Sequence, residues 1–227
     1  MQDDPASAFA QRGATLVRGA LSPALIAAVR AEAERALAER TVACADGALA
    51  SDAREKFERG FVPMRDLVLP CEPDALIPAA ATEIARAYLG SQPRIAAARG
   101  LRFADPGTDA THLAFHRDED ILGRRAVNVW IALTPCGVDA PGLEVALDSA
   151  RIALAPAGDP AASRGLDRVR LDADAVVAAA GADALFAPAF EPGDVLIFSG
   201  ATMHRTFVRP EMTRRRLSLE LRLVAAE

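Results

Sequence analysis

Thiols are scarce in this chain: Cys44, Cys71 and Cys136 are the only three, far apart and without a CxxC pair. That spacing excludes a disulfide framework and a zinc knuckle, and fits buried or incidental thiols in a reducing compartment. Lysine is almost absent, Lys56 standing alone among 26 basic residues, a bias of base composition that carries little functional information. The net charge of -5 leaves no surplus for a basic stripe, so nucleic acid is not the expected partner. No uninterrupted apolar run approaches membrane-spanning length. The first residues, Met1-Gln2-Asp3-Asp4-Pro5, are acidic and lack the basic and apolar regions of a signal peptide. A soluble cytoplasmic protein with no membrane partner is expected. No internal repeat and no dividing linker is visible.

What is present suits one domain with a substantial core: 227 residues, of which 51% are apolar. The first part, to about residue 94, reads as helical support. Ala14–Val17 is a candidate strand. Ser22-Pro23 supplies a capping hydroxyl and a proline at the first helical position, where its missing N–H costs nothing. Leu25, Ile26, Val29, Ala33 and Leu37 then recur at helical spacing. A second helix is predicted from about Pro73 to Leu89, with Ile77, Ala80, Ile84 and Tyr88 as its stripe and Gly90 to end it.

From about Ile95 the texture changes to strands and turns. Strands are predicted around Ile95–Phe103, His112–Asp118, Ala126–Leu133, Leu143–Leu147, Asp194–Ser199 and Arg214–Val224, broken by Asp105-Pro106-Gly107, Ala140-Pro141-Gly142 and Glu191-Pro192-Gly193-Asp194. The stretch near 155–190 reads as an insertion with one short helix about Asp172–Ala180. Helices followed by many strands suit a mainly β fold, a curled sheet or squashed barrel with N-terminal helices packed on one sheet. Such barrels hold ligands in their mouths.

Only three histidines occur, His112, His116 and His204. In an extended segment alternate side chains share a side, so His116 and Asp118 can present an imidazole nitrogen and a carboxylate together. His204 would complete a two-histidine, one-carboxylate set on one face of a metal, the arrangement of non-haem Fe(II) oxygenases. Asp120 shares the parity of Asp118 and is the rival ligand; His112 lies too far along the strand to co-ligate. A common co-substrate for such a site is 2-oxoglutarate, whose far carboxylate suits a planar bidentate donor. In the run Thr213–Arg222 the leucines share one face and Arg216, Ser218, Glu220 and Arg222 the other. With the leucines under the helices, Arg216 becomes the carboxylate clamp and Ser218 a supporting donor. Arg214 has the same parity and is the alternative clamp; Arg215 points the other way.

Taken together, His116–Asp118, Asn128–Thr134, Pro141–Val145, Pro192–His204 and Met212–Arg222 resemble the phytanoyl-CoA dioxygenase family. The likeness covers about 95–224 well and the N-terminal helices loosely. It implies a double-stranded β-helix (jelly-roll) and an Fe(II)- and 2-oxoglutarate-dependent dioxygenase. The expected reaction consumes O2 and a small-molecule substrate, releases succinate and CO2, and hydroxylates an unactivated C–H. It also implies that His116, Asp118 and His204 bind iron and that Arg216 holds 2-oxoglutarate. Thr206 matches an assisting hydroxyl, and Trp130 an aromatic beside the co-substrate with Asn128 on its face. Related halogenases lack the carboxylate of HxD; Asp118 favours hydroxylation. The family's Pro-Gly-Ser-His signature is replaced by Ala146-Leu147-Asp148-Ser149, which concerns the substrate-side loops. The competing readings are a non-catalytic small-molecule-binding jelly roll and a cupin-like metal-dependent isomerase or epimerase.

Overall fold

The computed structural model describes residues 4–157 and 165–226, so the 158–164 part of the expected insertion lies outside the described residues. In chain order it holds α1 (Pro5–Arg12), β1 (Ala14–Val17), α2 (Pro23–Ala45), α3 (Ser51–Glu58), β2 (Phe61–Pro63), α4 (Ala79–Leu89), β3 (Pro93–Ile95) and β4 (Gly100–Ala104). There follow α5 (Asp118–Leu122), β5 (Val127–Ala132), β6 (Gly142–Ala146), α6 (Ala173–Ala180), β7 (Leu185–Phe186), β8 (Val195–Ser199), β9 (His204–Phe207) and β10 (Arg216–Ala225).

The local signals explain most of these boundaries. Ser22 Oγ accepts from Leu25 N–H at the start of α2, and Asp172 caps α6 in the same way through Ala175. Asp4-Pro5 repeats the device at α1, a helix absent from the sequence expectation although its cap was readable. The predicted helix 73–89 is two pieces, a 3-10 turn Pro73–Leu76 and α4. Pro78 separates them, because the residue before a proline is held extended, and Ile77 sits at φ -98, ψ 109. Gly90 ends α4 at φ 70, where a side chain would be strained.

The strands form two antiparallel sheets. The larger runs β1-β8-β5-β10-β4-β2, with β3 pairing the end of β10; the smaller runs β7-β6-β9. On β10, Leu217, Leu219, Leu221 and Leu223 pack beneath the helices with Ile26, Val29 and Leu37 of α2 and Ile84 of α4. Val127, Val129 and Ile131 of β5 join the same layer. The alternate residues of these strands face inward, toward the smaller sheet, where Trp130, Leu196 and Phe198 pack against Leu143, Val145 and Phe190. The result is mainly β with flanking helices on the outer face of one sheet, the expected layering. Among the described residues no helix is long and apolar enough to cross a membrane.

Two strand expectations are corrected. Residues 112–118 do not form a strand: His116 makes an isolated bridge to His204, and Asp118 opens α5. The expected strand Ile95–Phe103 is two, β3 ending at Ile95 and β4 opening at Gly100.

Candidate metal centre

His116 and His204 meet because their backbones are a hydrogen-bonded pair. Each N–H donates to the other's carbonyl at 3.1 Å. Residues directly opposite in an antiparallel pair project side chains to the same face. Their ring centroids are 4.2 Å apart, and Phe198 closes the edge of His204 at 4.7 Å. Although α5 starts at Asp118, Arg117 keeps extended angles, φ -118 and ψ 134. The alternation from His116 to Asp118 therefore survives the loss of the strand. Asp118 Oδ1 lies 3.9 Å from His116 Nε2 and Oδ2 lies 3.9 Å from His204 Nε2.

The ligand atoms of these three side chains lie within 4.8 Å of one another, and all three residues are buried. The donor set also has the right protonation. His116 Nδ1 lies 2.8 Å from Ala114 O and His204 Nδ1 2.9 Å from Thr202 O. A carbonyl can only accept, so each Nδ1 carries the proton and each Nε2 keeps a lone pair for a metal. Burial pushes the His116 imidazole down to about 4, with His204 acting in the same direction, so it is neutral and able to ligate near pH 7. Burial alone would raise the Asp118 carboxyl, but Arg222 and the two imidazoles outweigh it and hold it well below the usual carboxylate range. Two imidazoles presenting Nε2 and one carboxylate fit a divalent ion with oxygen- and nitrogen-preferring chemistry.

The surroundings of Asp118 were not foreseen. Arg222 donates to it bidentately, Nε to Oδ2 at 2.8 Å and Nη2 to Oδ1 at 3.1 Å. Glu220 stands 3.4 Å from Arg222 and 3.4 Å from Arg102. Glu220 and Arg222 share the inward face of β10 with Arg216, whereas Arg102 comes from β4; alternation put the first two on that face without saying which of them would meet Asp118.

Arg216 is 1% exposed and lines the inner cavity with His116, Asp118, His204, Trp130 and Asn128. It donates to Gly142 O at 2.9 Å and lies 5.6 Å from the Trp130 ring. Among the described residues, several buried polar atoms around it have no hydrogen-bond partner: Arg216 Nε, both side-chain atoms of Asn128, Trp130 Nε1 and Ser218 Oγ. Such orphans are costly unless something polar meets them. The free space at the centre is only about 20 Å³, enough for one water or ion. A dicarboxylate requires these side chains to part. Thr206 also lines the cavity, with Oγ1 accepting from Leu113 N–H at 2.9 Å.

Three sequence candidates are not brought to the centre. Arg214 precedes β10, where no strand alternation operates, and its exposed side chain lines a groove with Arg30 and Glu34 of α2. Asp120 is turned away by the start of α5 and lies 3.8 Å from Arg117. His112 Nε2 donates to Asp105 O at 2.7 Å and lines a neighbouring cavity of about 310 Å³ that also reaches His116.

Residues 152–154 and 171–176 pack behind the two histidines. Phe115 and Met203, each one residue before a histidine ligand, are buried in one cluster with Leu171 and Val176. Leu171 N–H donates to Phe115 O at 2.7 Å, and Arg117 donates to the carbonyls of Ile152 and Leu154.

A family model for phytanoyl-CoA dioxygenase matches residues 9–209. No curated protein matches the sequence. Among solved structures, EctD from S. alaskensis with 2-oxoglutarate and 5-hydroxyectoine is similar at a TM-score of 0.68 and 19% identity, over 99% of this chain and 78% of that one. AviO1 from Streptomyces viridochromogenes Tue57 gives 0.64 and 18% over 99% and 96%. The non-heme alpha ketoglutarate dependent carbocyclase SnoK from nogalamycin biosynthesis gives 0.65 and 15% over 100% and 85%.

Proposed function

The chain belongs to the phytanoyl-CoA dioxygenase family, and from that premise we propose that it is a non-haem Fe(II)- and 2-oxoglutarate-dependent oxygenase that hydroxylates a C–H bond of a small molecule. The observation that carries the reading is the buried His116, Asp118, His204 set with both Nε2 lone pairs free. What iron and 2-oxoglutarate supply when bound is oxidation of an unactivated C–H by O2, coupled to release of succinate and CO2.

The residues of the chain do the rest. His116 and His204 would hold the metal through Nε2, and Asp118 through a carboxylate oxygen. Arg222 orients that carboxylate and keeps it ionised, the outer contact that metal ligands ordinarily need. Arg216 would pair with the far carboxylate of 2-oxoglutarate, with Ser218, Asn128 and Trp130 offering the donors now without partners. Leu143 and Phe198 exclude water from the same cavity. A carboxylate at position 118 leaves no room in the ligand set for a halide, which supports hydroxylation over halogenation.

The test is anaerobic addition of Fe(II) and 2-oxoglutarate. A weak visible charge-transfer band that bleaches with O2, together with succinate formation, is expected of the wild-type protein and not of Asp118→Ala. An Asp118→Ala protein that binds iron and forms succinate normally would refute the ligand assignment. Product analysis with a turned-over substrate separates hydroxylation from the epimerase and carbocyclase reactions that similar structures carry in their names.

A further inference from the structure

Two larger cavities share walls with the central space of about 20 Å³, one on the His116 side of the ligand cluster and one on the Asp118 side. The cavity of about 310 Å³ beside His112 meets the centre at Leu113 and His116. A wider one of about 720 Å³ meets it at Asp118, Glu220 and Arg222. Arg59 lines both outer cavities and so marks their boundary. It pairs with Asp167 at 3.3 Å, and its carbonyl accepts from Arg102 Nη1 at 3.0 Å. Each outer cavity is large enough to hold a small molecule, whereas the centre admits one only if a wall gives way.

The two walls differ in what it takes to move them. Arg222 forks onto both oxygens of Asp118 at 2.8 and 3.1 Å and lies 3.4 Å from Glu220, which lies 3.4 Å from Arg102. Parting that wall breaks buried hydrogen bonds and strands their donors and acceptors, which is costly. His116 is fixed by its paired backbone bonds with His204 and by Ala114 O on its Nδ1. Leu113 has no such tie. Its side chain is apolar and half-buried, and turning it between staggered rotamers breaks no polar contact. Its main chain stays in place, because its N–H donates to Thr206 Oγ1 and its carbonyl accepts from Thr206 N–H, both at 2.9 Å. Of the residues that separate the centre from the outer cavities, Leu113 is the one whose side chain can swing by itself.

We infer that Leu113 is the door through which 2-oxoglutarate reaches Arg216 and succinate leaves, by way of the His112 cavity, and that the wider cavity beyond Asp118 is left to the organic substrate. This rests on the oxygenase reading for the identity of the ligand. The co-substrate can then exchange while the wider cavity is filled, because the two routes meet the centre at different walls. A swinging side chain sets how fast a ligand passes in both directions and leaves the end states alike. A residue that merely touches the bound ligand acts chiefly on its release.

The experiment is stopped-flow mixing of the Mn(II)-loaded protein with 2-oxoglutarate. Trp130 is the only tryptophan in the chain and lines the central space, so its fluorescence reports arrival. The charge-transfer band of the anaerobic Fe(II) protein gives the same rates without relying on Trp130. Leu113→Ala should raise the association and dissociation rates together by about tenfold, and Leu113→Phe should lower both, with the dissociation constant changing by less than about threefold. Leu113→Phe decides the matter if Leu113→Ala does not fold. Ile121→Phe, which narrows the wider cavity where Ile121 is 44% exposed, should change neither rate. Unchanged rates in the Leu113 variants, a change confined to dissociation, or slowed association in Ile121→Phe overturns the inference. Failure of the oxygenase reading shows itself differently, as wild-type protein in which 2-oxoglutarate changes neither signal, and the inference falls with it.

Discussion

Asp118 takes both of its hydrogen bonds from Arg222, yet it is also the one carboxylate among the three clustered ligands. The two roles are compatible because a carboxylate has lone pairs to spare beyond two donors. Arg216 is different in kind: its guanidinium has one carbonyl and one ring for company and an orphaned Nε. That makes it available to a ligand. Arg216→Ala is expected to raise the 2-oxoglutarate concentration needed for half-maximal succinate formation by about 100-fold, a loss of roughly 2–3 kcal/mol for a charge-assisted pair. Mn(II) affinity should change little. An unchanged 2-oxoglutarate requirement would remove the clamp assignment. At this scale the three side chains that cluster, His116, Asp118 and His204, were legible because histidine is rare in the chain and the HxD spacing is short. Arg222 was not, since an arginine on a strand says nothing of which carboxylate will come to face it from residue 118.

At the scale of elements, β10 and the insertion make opposite contributions. Leu219 of β10 is fully buried in the helix-facing cluster, which contains neither Phe115 nor Met203. Leu171 is 3% exposed and packs with Phe115 and Met203, the neighbours of His116 and His204. Truncating either leucine to alanine should cost about 2–5 kcal/mol in urea unfolding. Only Leu171→Ala should also weaken Mn(II) binding in the folded protein, by about tenfold, as loss of a supporting contact does. Equal metal affinities in the two variants would show that the insertion plays no part in holding the ligands. Most of α2, α4 and β10 could be read from period, whereas α1, α3 and α5 could not. The segment 112–118 could not, because its two-fold alternation is real but its ladder partner is a single bridged residue, His204.

For the whole molecule, burial of the centre links stability to pH. Burial brings His116 down to about 4, whereas an unfolded histidine titrates near 6.5. The unfolded chain therefore binds more protons in that interval, and the metal-free protein loses stability as pH falls through it. The loss is on the order of 3 kcal/mol, and the depressed Asp118 carboxyl extends it to lower pH. Urea midpoints of metal-free protein at pH 7 and pH 4.5 check this; equal midpoints would contradict it. Cys136 is the opposite case: burial pushes its thiol up to about 12, so it should resist iodoacetamide at pH 8.5 in the native protein. Cys44 is half-buried and gives a reference thiol on the same chain.

What the amino-acid order determined by itself was the periodic part: which residues face the helices, which face inward, where Ser22-Pro23 starts α2 and Gly90 stops α4, and that two histidines and an aspartate were present in a spacing that could ligate. Those follow from local geometry, which any segment carries within itself. Only the tertiary structure decided that Arg214 lies outside and Arg216 inside, that Arg222 answers Asp118, and that the insertion backs both histidines. These are pairings between segments up to 104 residues apart. Nothing local encodes a partner at that separation; it is set by how two sheets close on each other and bury what lies between them.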